Sequence, residues 1–238
     1  MKLACSSAAF DQTISRGDMT QIEWLESCAT ELAADGIVLD ERHFPRTDSD
    51  YLAQIKKMAT DLGLTVAAFA VAHFFACDED AMERHIGQAA ALGAPLLTAP
   101  LQRETETSWN EALARIGSAT SLAKRFNITL AIRNAPQTFA AGSYDLKRLS
   151  KAADSAWLRY APEFSALDAA SEHAVLIDKA VLLWQPLEAD TNRLAPFLPR
   201  FRGFVALDDA FGASTLADMK NALQSFRNAF SYSVADRT

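Results

Sequence analysis

The chain reads as one α/β domain, a closed barrel of eight strand–helix units in the (β/α)8 arrangement. Three observations predict it. A short apolar run recurs roughly every 25 to 35 residues, and a stretch with helical periodicity follows each one. The runs are nearly continuous in apolar residues and do not alternate, which is the pattern of parallel strands covered on both faces. The glycine fingerprints of dinucleotide-binding and P-loop sheets are absent, so an open doubly wound sheet is only the runner-up. No linker or composition break divides residues 1–238, so a single domain is expected, with a loosely ordered tail after Phe230.

The units follow one another in order. Strand 2–7 leads to a helix over 19–33, whose Ile22, Leu25, Cys28, Ala29 and Leu32 fall on one face. Strand 36–44 precedes helix 48–62, and strand 65–74 precedes helix 78–92. Strand 95–101 precedes helix 108–126, and strand 128–135 precedes helix 143–153. Strand 157–164 precedes helix 168–179, strand 181–188 precedes helix 192–201, and strand 204–210 precedes helix 214–230. Asp48, Asp78, Ser108, Ser143 and Ser214 stand at the predicted helix starts, where a short side-chain oxygen can accept from a free N–H. Gly36, Gly63 and Gly93 stand just past helix ends, where left-handed backbone is wanted.

Composition narrows the function classes. Half of the residues are hydrophobic and 22% are charged, enough to bury a core without disulfides. A net charge of −7 argues against a nucleic-acid partner, because phosphate binding rests on clustered Lys and Arg. Cys5, Cys28 and Cys77 are scattered and form no CxxC pair, so they read as buried small hydrophobes in a reducing cytoplasm. The opening MKLACSSAAF lacks the apolar core of a signal peptide, and no apolar run is long enough for a membrane helix.

In barrels of this kind chemistry sits at the C-terminal ends of the strands and in the loops that follow. That rule selects Ser6, Ser7, Asp40, Arg42, His43, His73, Gln102, Arg103, Arg133, Asn134, Glu163, Gln185, Asp208 and Asp209. Trp184, beside Gln185, is the best candidate for an aromatic ligand wall. Arg103 is a candidate for holding a ligand anion, and His43 is a candidate base or binding group. His73 is expected to pack on Phe74 and Phe75, and His85 and His173 to be helix scaffold.

Several segments resemble the xylose-isomerase-like TIM barrels across essentially residues 1 to 230. They include the opening strand, DGIVLD at 35–40, LGLTVA at 62–67 and RFNITLAI at 125–132. That superfamily holds sugar-phosphate isomerases and epimerases, myo-inosose dehydratases and endonuclease IV. The resemblance implies a divalent metal held by Glu, Asp, His and Glu from strands five to eight. It also implies proton transfer between adjacent carbons of a small polyhydroxylated substrate, in an isomerase or epimerase. Family relatives often associate, so a homo-oligomer is compatible with the resemblance.

The metal ligands, however, are replaced. The family pattern at strand five resembles LAIENH, whereas this chain reads LAIRNA, with Arg133 in the place of the glutamate. The strand-six aspartate falls on Glu163 and its histidine on Ala166. The strand-seven histidine falls on Gln185, and the strand-eight glutamate on Asp208. A guanidinium carries a fixed charge and no lone pair for a metal. The expectation is a metal-free site in which Arg133 pairs with Glu163 and with Asp208 or Asp209, Arg133, Glu163 and Asp208 being the catalytic residues. A weak Mg²⁺ or Mn²⁺ pair at Asp208 and Asp209 is the alternative. His43, Asn134, Trp184, Gln185, Asp209 and Arg103 are then expected to bind a sugar-like ligand. The competing reading is a barrel that binds a carbohydrate or acid without turnover.

Overall fold

The computed structural model describes residues 1–103, 107–167 and 176–235. Eight parallel strands form one sheet: β1 Lys2–Ser6, β2 Gly36–Asp40, β3 Thr65–Ala70, β4 Leu96–Pro100, β5 Thr129–Arg133, β6 Leu158–Tyr160, β7 Leu182–Pro186 and β8 Phe204–Asp208. Each pairs with the next in sequence except β6 with β7, and β1 also pairs with β8. The seam between β6 and β7 is closed by isolated bridges, Tyr160 to Ala180 and Glu163 to Trp184. The nearly closed barrel is thus a single (β/α)8 fold. The strands are buried on both faces, as their unbroken apolar runs require.

Seven described helices surround the sheet: α1 Asp11–Ser15, α2 Gln21–Thr30, α3 Ser49–Asp61, α4 Glu79–Leu92, α5 Trp109–Phe126, α6 Ser143–Ala152 and α7 Leu216–Ala235. Asp48, Asp78 and Ser108 cap α3, α4 and α5 as expected. Two predicted caps shift by one residue. Gly142 precedes α6, with its N–H bonded to Asp145, and Thr215 exchanges hydrogen bonds with Asp218 ahead of α7. Gly63 and Gly93 have the left-handed backbone expected of them, each at φ +73°. Gly36 does not; it opens β2, where a Cβ would lie 2.6 Å from Thr65 O. The left-handed turn after α2 falls on Ala33, at φ +48°.

Three further departures have physical causes. Segments 36–44, 65–74 and 157–164 are shorter as strands than their apolar runs, because the chain turns into 3-10 segments at Glu41–His43, Phe74–Ala76 and Phe164–Ala166. The stretch 192–201 forms no α-helix. Pro196 and Pro199 each remove an N–H, and the chain descends as a series of turns after a 3-10 segment at Thr191–Arg193. The α1 turn between β1 and α2 was not foreseen. The predicted helix 168–179 and His173 fall largely on positions outside the described residues.

The main core lies between strands and helices, and a second, smaller cluster fills the barrel. That inner cluster holds Ala4, Ala68, Ala131, Ala161 and Ala206 with Val38, Leu182 and Trp184. Small side chains from four strands and from Ala161, just past β6, leave room for one indole. Cys5 and Cys28 are buried, as expected of small hydrophobes. No described helix is long and apolar enough to cross a membrane.

Candidate active site

The C-terminal ends of the strands surround a cavity of about 380 Å³. The β4–β5 register sets Arg133 level with Pro100, and the β7–β8 register sets Asp208 level with Pro186. Both side chains therefore arrive at the mouth. Arg133 Nη1 donates to Asp208 Oδ2 at 2.9 Å, and Arg133 Nη2 donates to Glu163 Oε2 at 3.1 Å. The guanidinium also lies over the Trp184 ring, 4.0 Å from its centroid. Two carboxylates and one aromatic face thus fix Arg133, and about a quarter of its side chain remains open.

Burial raises the Asp208 pKa; the Arg133 charge, the Arg133 hydrogen bond, Ser6 and the Asp209 N–H oppose the shift without cancelling it. Asp208 Oδ2 is held by Arg133, and Oδ1 is buried. Two neighbours that line the same cavity share that condition, Thr98 Oγ1 and Trp184 Nε1. Glu163 is engaged at both oxygens, by Arg133 and by the Ser165 hydroxyl.

On the opposite wall, Arg42 grips Asp40 through Nε and Nη2 at 2.9 and 3.1 Å and reaches Asp11 at 3.3 Å. The hydrogen bond to Asp40 chiefly raises the Arg42 pKa, against desolvation, with the charges of Asp40, Asp11 and Asp208 adding to it. Behind this pair, His43 is buried between Ser7 Oγ at 2.8 Å and Asp11 Oδ1 at 3.0 Å. Ser7 Oγ in turn accepts from Asp40 N–H at 2.9 Å. Ser7 is fully buried, so this Ser–His–Asp line ties the turns that follow β1 and β2 to each other and offers no exposed nucleophile.

The sequence candidates divide by position. Arg133, Asp208, Trp184 and Asp209 line the mouth, and Glu163 flanks it. Asp209 turns its carboxylate to its own loop, accepting from Phe211 N–H, Ala213 N–H and the Ser214 hydroxyl. Those hydrogen bonds outweigh desolvation and lower its pKa. Of the expected partners of Arg133, the second acid is thus Asp208 and not Asp209.

Four expected binding residues lie elsewhere. Asn134 spends its amide on the Glu163 backbone, donating to O and accepting from N–H. Gln185 donates to Pro186 O and Ala189 O and faces a separate cavity of about 560 Å³ between the β7 and β8 loops and α7. Arg103 lies over Phe139 in a third cavity by the start of α5. His43 stands one layer behind the wall. His73 is exposed and bonded to Gln102 instead of packing on the phenylalanines.

Sequence reasoning missed Asp11 and Thr98. Asp11 opens α1 and ends no strand; Thr98 lies within β4, two residues before its end. Phe211 was also missed; it is 77% exposed and lines both the mouth and the larger cavity.

The description of xylose isomerase-like TIM barrels matches residues 28–231. The chain belongs to this family. No curated protein matches it in sequence. Among solved structures, a probable 3-DHS dehydratase, AsbF, from Bacillus anthracis superposes with a TM-score of 0.79 at 12% identity, covering 96% of this chain and 99% of that one. D-psicose 3-epimerase from Clostridium cellulolyticum H10, solved with D-tagatose, gives 0.77 at 11% identity over 98% and 99%. An L-ribulose 3-epimerase gives 0.70 at 12% identity over 100% and 99%. At such identities the likeness is one of fold.

Among the described residues of this xylose isomerase-like barrel, the donor set at the mouth does not fit a divalent ion. Among the described residues no three His, Cys, Asp or Glu side chains group as ligands. At the mouth, a guanidinium already binds the two carboxylates that would serve, and its fixed charge repels a cation.

Proposed function

We propose that this barrel is a metal-independent isomerase or epimerase relative that binds a small polyhydroxylated carbonyl compound in its mouth. The observation that carries the reading is Arg133 held between Asp208 and Glu163, where the family pattern places metal ligands. Family membership and neighbours described as 3-epimerases support the substrate class. In this reading Asp208 Oδ1 takes the proton from the carbon beside the carbonyl. The C–H electron pair moves into an enediolate, and the charge collects on oxygen. Arg133 uses two of its five N–H groups on the acids, so others can donate to that oxygen. Passage of the neighbouring hydroxyl proton to the charged oxygen, followed by return of the proton from Asp208 to the former carbonyl carbon, gives an isomer; protonation of the original carbon on its opposite face by a second acid, with the carbonyl re-formed, gives an epimer.

A ketose and aldose panel assayed in EDTA tests this. Turnover that survives EDTA and falls about 10²- to 10⁴-fold in Asp208→Asn is the expected result. Saturable binding with no turnover would establish the second reading, a non-catalytic carbohydrate- or acid-binding barrel. One observation favours that second reading, the full engagement of Glu163.

A further inference from the structure

We propose that the third cavity, between the loops after β4 and β5 and the starts of α5 and α6, is an anion site that takes a phosphate monoester. This goes beyond the reading of the mouth and does not depend on it.

Arg103, from the loop after β4, and Arg148, from α6, both line this cavity of about 430 Å³. Each guanidinium lies over an aromatic ring. Arg103 is 5.7 Å from the centroid of Phe139, and Arg148 is 4.0 Å from that of Trp109. The two rings meet edge to face at 5.9 Å, so they form one connected support. Stacking occupies one face of a guanidinium and leaves its N–H edge free to donate. Among the described residues neither arginine has a carboxylate partner. Arg42, Arg46, Arg125, Arg133 and Arg200, by contrast, each sit on an acid. Arg103 and Arg148 are both exposed, so an arriving anion displaces water and no internal partner.

The charge balance points the same way. Asp145 is the one acid in the described wall, and its Oδ2 accepts from Gly142 N–H at 3.2 Å. Glu111, at the same end of α5, is spent on the Ser108 N–H at 2.7 Å. Two cations against one acid leave this wall positive. The mouth sets four aspartates against two arginines, and the cavity beside α7 has three acids and no Lys or Arg in its described wall. Ser108 Oγ accepts from Glu111 N–H, which leaves the hydroxyl proton for a ligand. Gln137, in the same wall, is held at φ +59°, a conformation rare outside glycine, and its amide has no partner among the described residues. One guanidinium fork fills both oxygens of a carboxylate. A phosphate monoester brings three terminal oxygens and about two negative charges, enough for two forks.

Calorimetry at pH 7 tests this with inorganic phosphate and fructose 6-phosphate as probes, on the parent, Arg103→Gln, Arg148→Gln and the double variant. Both probes should saturate the parent and weaken with added salt. Each single substitution should cost about tenfold in affinity, and the double should abolish binding. Arg148→Lys keeps the charge without the fork and should recover only part of the loss. Both positions are exposed, so the variants should melt with the parent. An ester that binds more tightly than inorganic phosphate, by a margin that Asp208→Asn removes, supports the site as the holder of a phosphate on the mouth's own ligand. Equal affinity for the two probes supports it as a separate site for free phosphate. A parent that neither probe saturates overturns the proposal, and so does a double variant that binds as the parent does. Either failure leaves the reading of the mouth untouched, because neither arginine lines it.

Discussion

At the scale of single residues, what distinguishes this mouth is a cation between two acids, and reversing that cation is informative. Arg133→Glu would gather three carboxylates at one point, the introduced one beside those of Glu163 and Asp208. That variant should gain Mn²⁺ binding, seen as a thermal shift reversed by EDTA, where the parent shows none. A parent that binds Mn²⁺ equally well would refute the substitution of guanidinium for metal. Asp208 makes a second prediction. Its folded pKa lies above the ordinary 3.8, so it is ionised, and able to act as base, only above a raised threshold. The acid limb of the rate profile should therefore sit above pH 3.8. The same shift favours the protonated carboxyl in the fold. The stability of the parent relative to Asp208→Asn should thus fall as pH rises through that limb, which urea melts at several pH values would read. Arg133, Glu163, Asp208 and Trp184 were legible because a strand-end rule finds side chains aimed at the mouth. Asn134 and Gln185 obeyed the same rule and yet turned their amides to neighbouring backbone, since an unpaired buried carbonyl or N–H costs more than a lost ligand contact. No sequence period reports which of these demands wins.

Elements explain the loops that carry the mouth. The turn after β8 is held by three hydrogen bonds to Asp209 and packs against the start of α1. There Gly212 has φ +62°, and a Cβ would lie 2.6 Å from Asp11 Cβ. Gly212→Ala is expected to cost about 1 to 3 kcal/mol and to weaken ligand binding through displaced Asp11 and Phe211, read by urea unfolding and calorimetry together. A variant as stable as the parent would show that this backbone has other room to move. Helix positions were readable where a cap and a 3.6-residue period agreed, as in α3, α4 and α5. They failed over 192–201, where leucines and phenylalanines kept helical spacing but two prolines forbade the hydrogen bonds.

Taken as a whole molecule, the barrel has one weak meridian. β6 and β7 meet through isolated bridges, and one of these joins Glu163 to Trp184, the acid beside Arg133 and the ring beneath it. Amide exchange should be faster at Val181 and Trp184 than along the β2–β3 ladder; equal protection would mean that the seam is as firm as the rest. The barrel was legible as a whole because eight repeats of one pattern leave few topologies, whereas this seam depends on a three-residue strand that the apolar run 157–164 disguises. Trp184 also has a consequence for what the interior will admit. With alanines around it, the indole is the largest buried side chain of the inner cluster. Trp184→Ala should therefore leave a vacancy shaped like the missing ring, at a cost of about 3 to 5 kcal/mol. Free indole added to that variant should restore part of its melting temperature, as a plug restores a drained vessel, while the parent, already stoppered, should not respond.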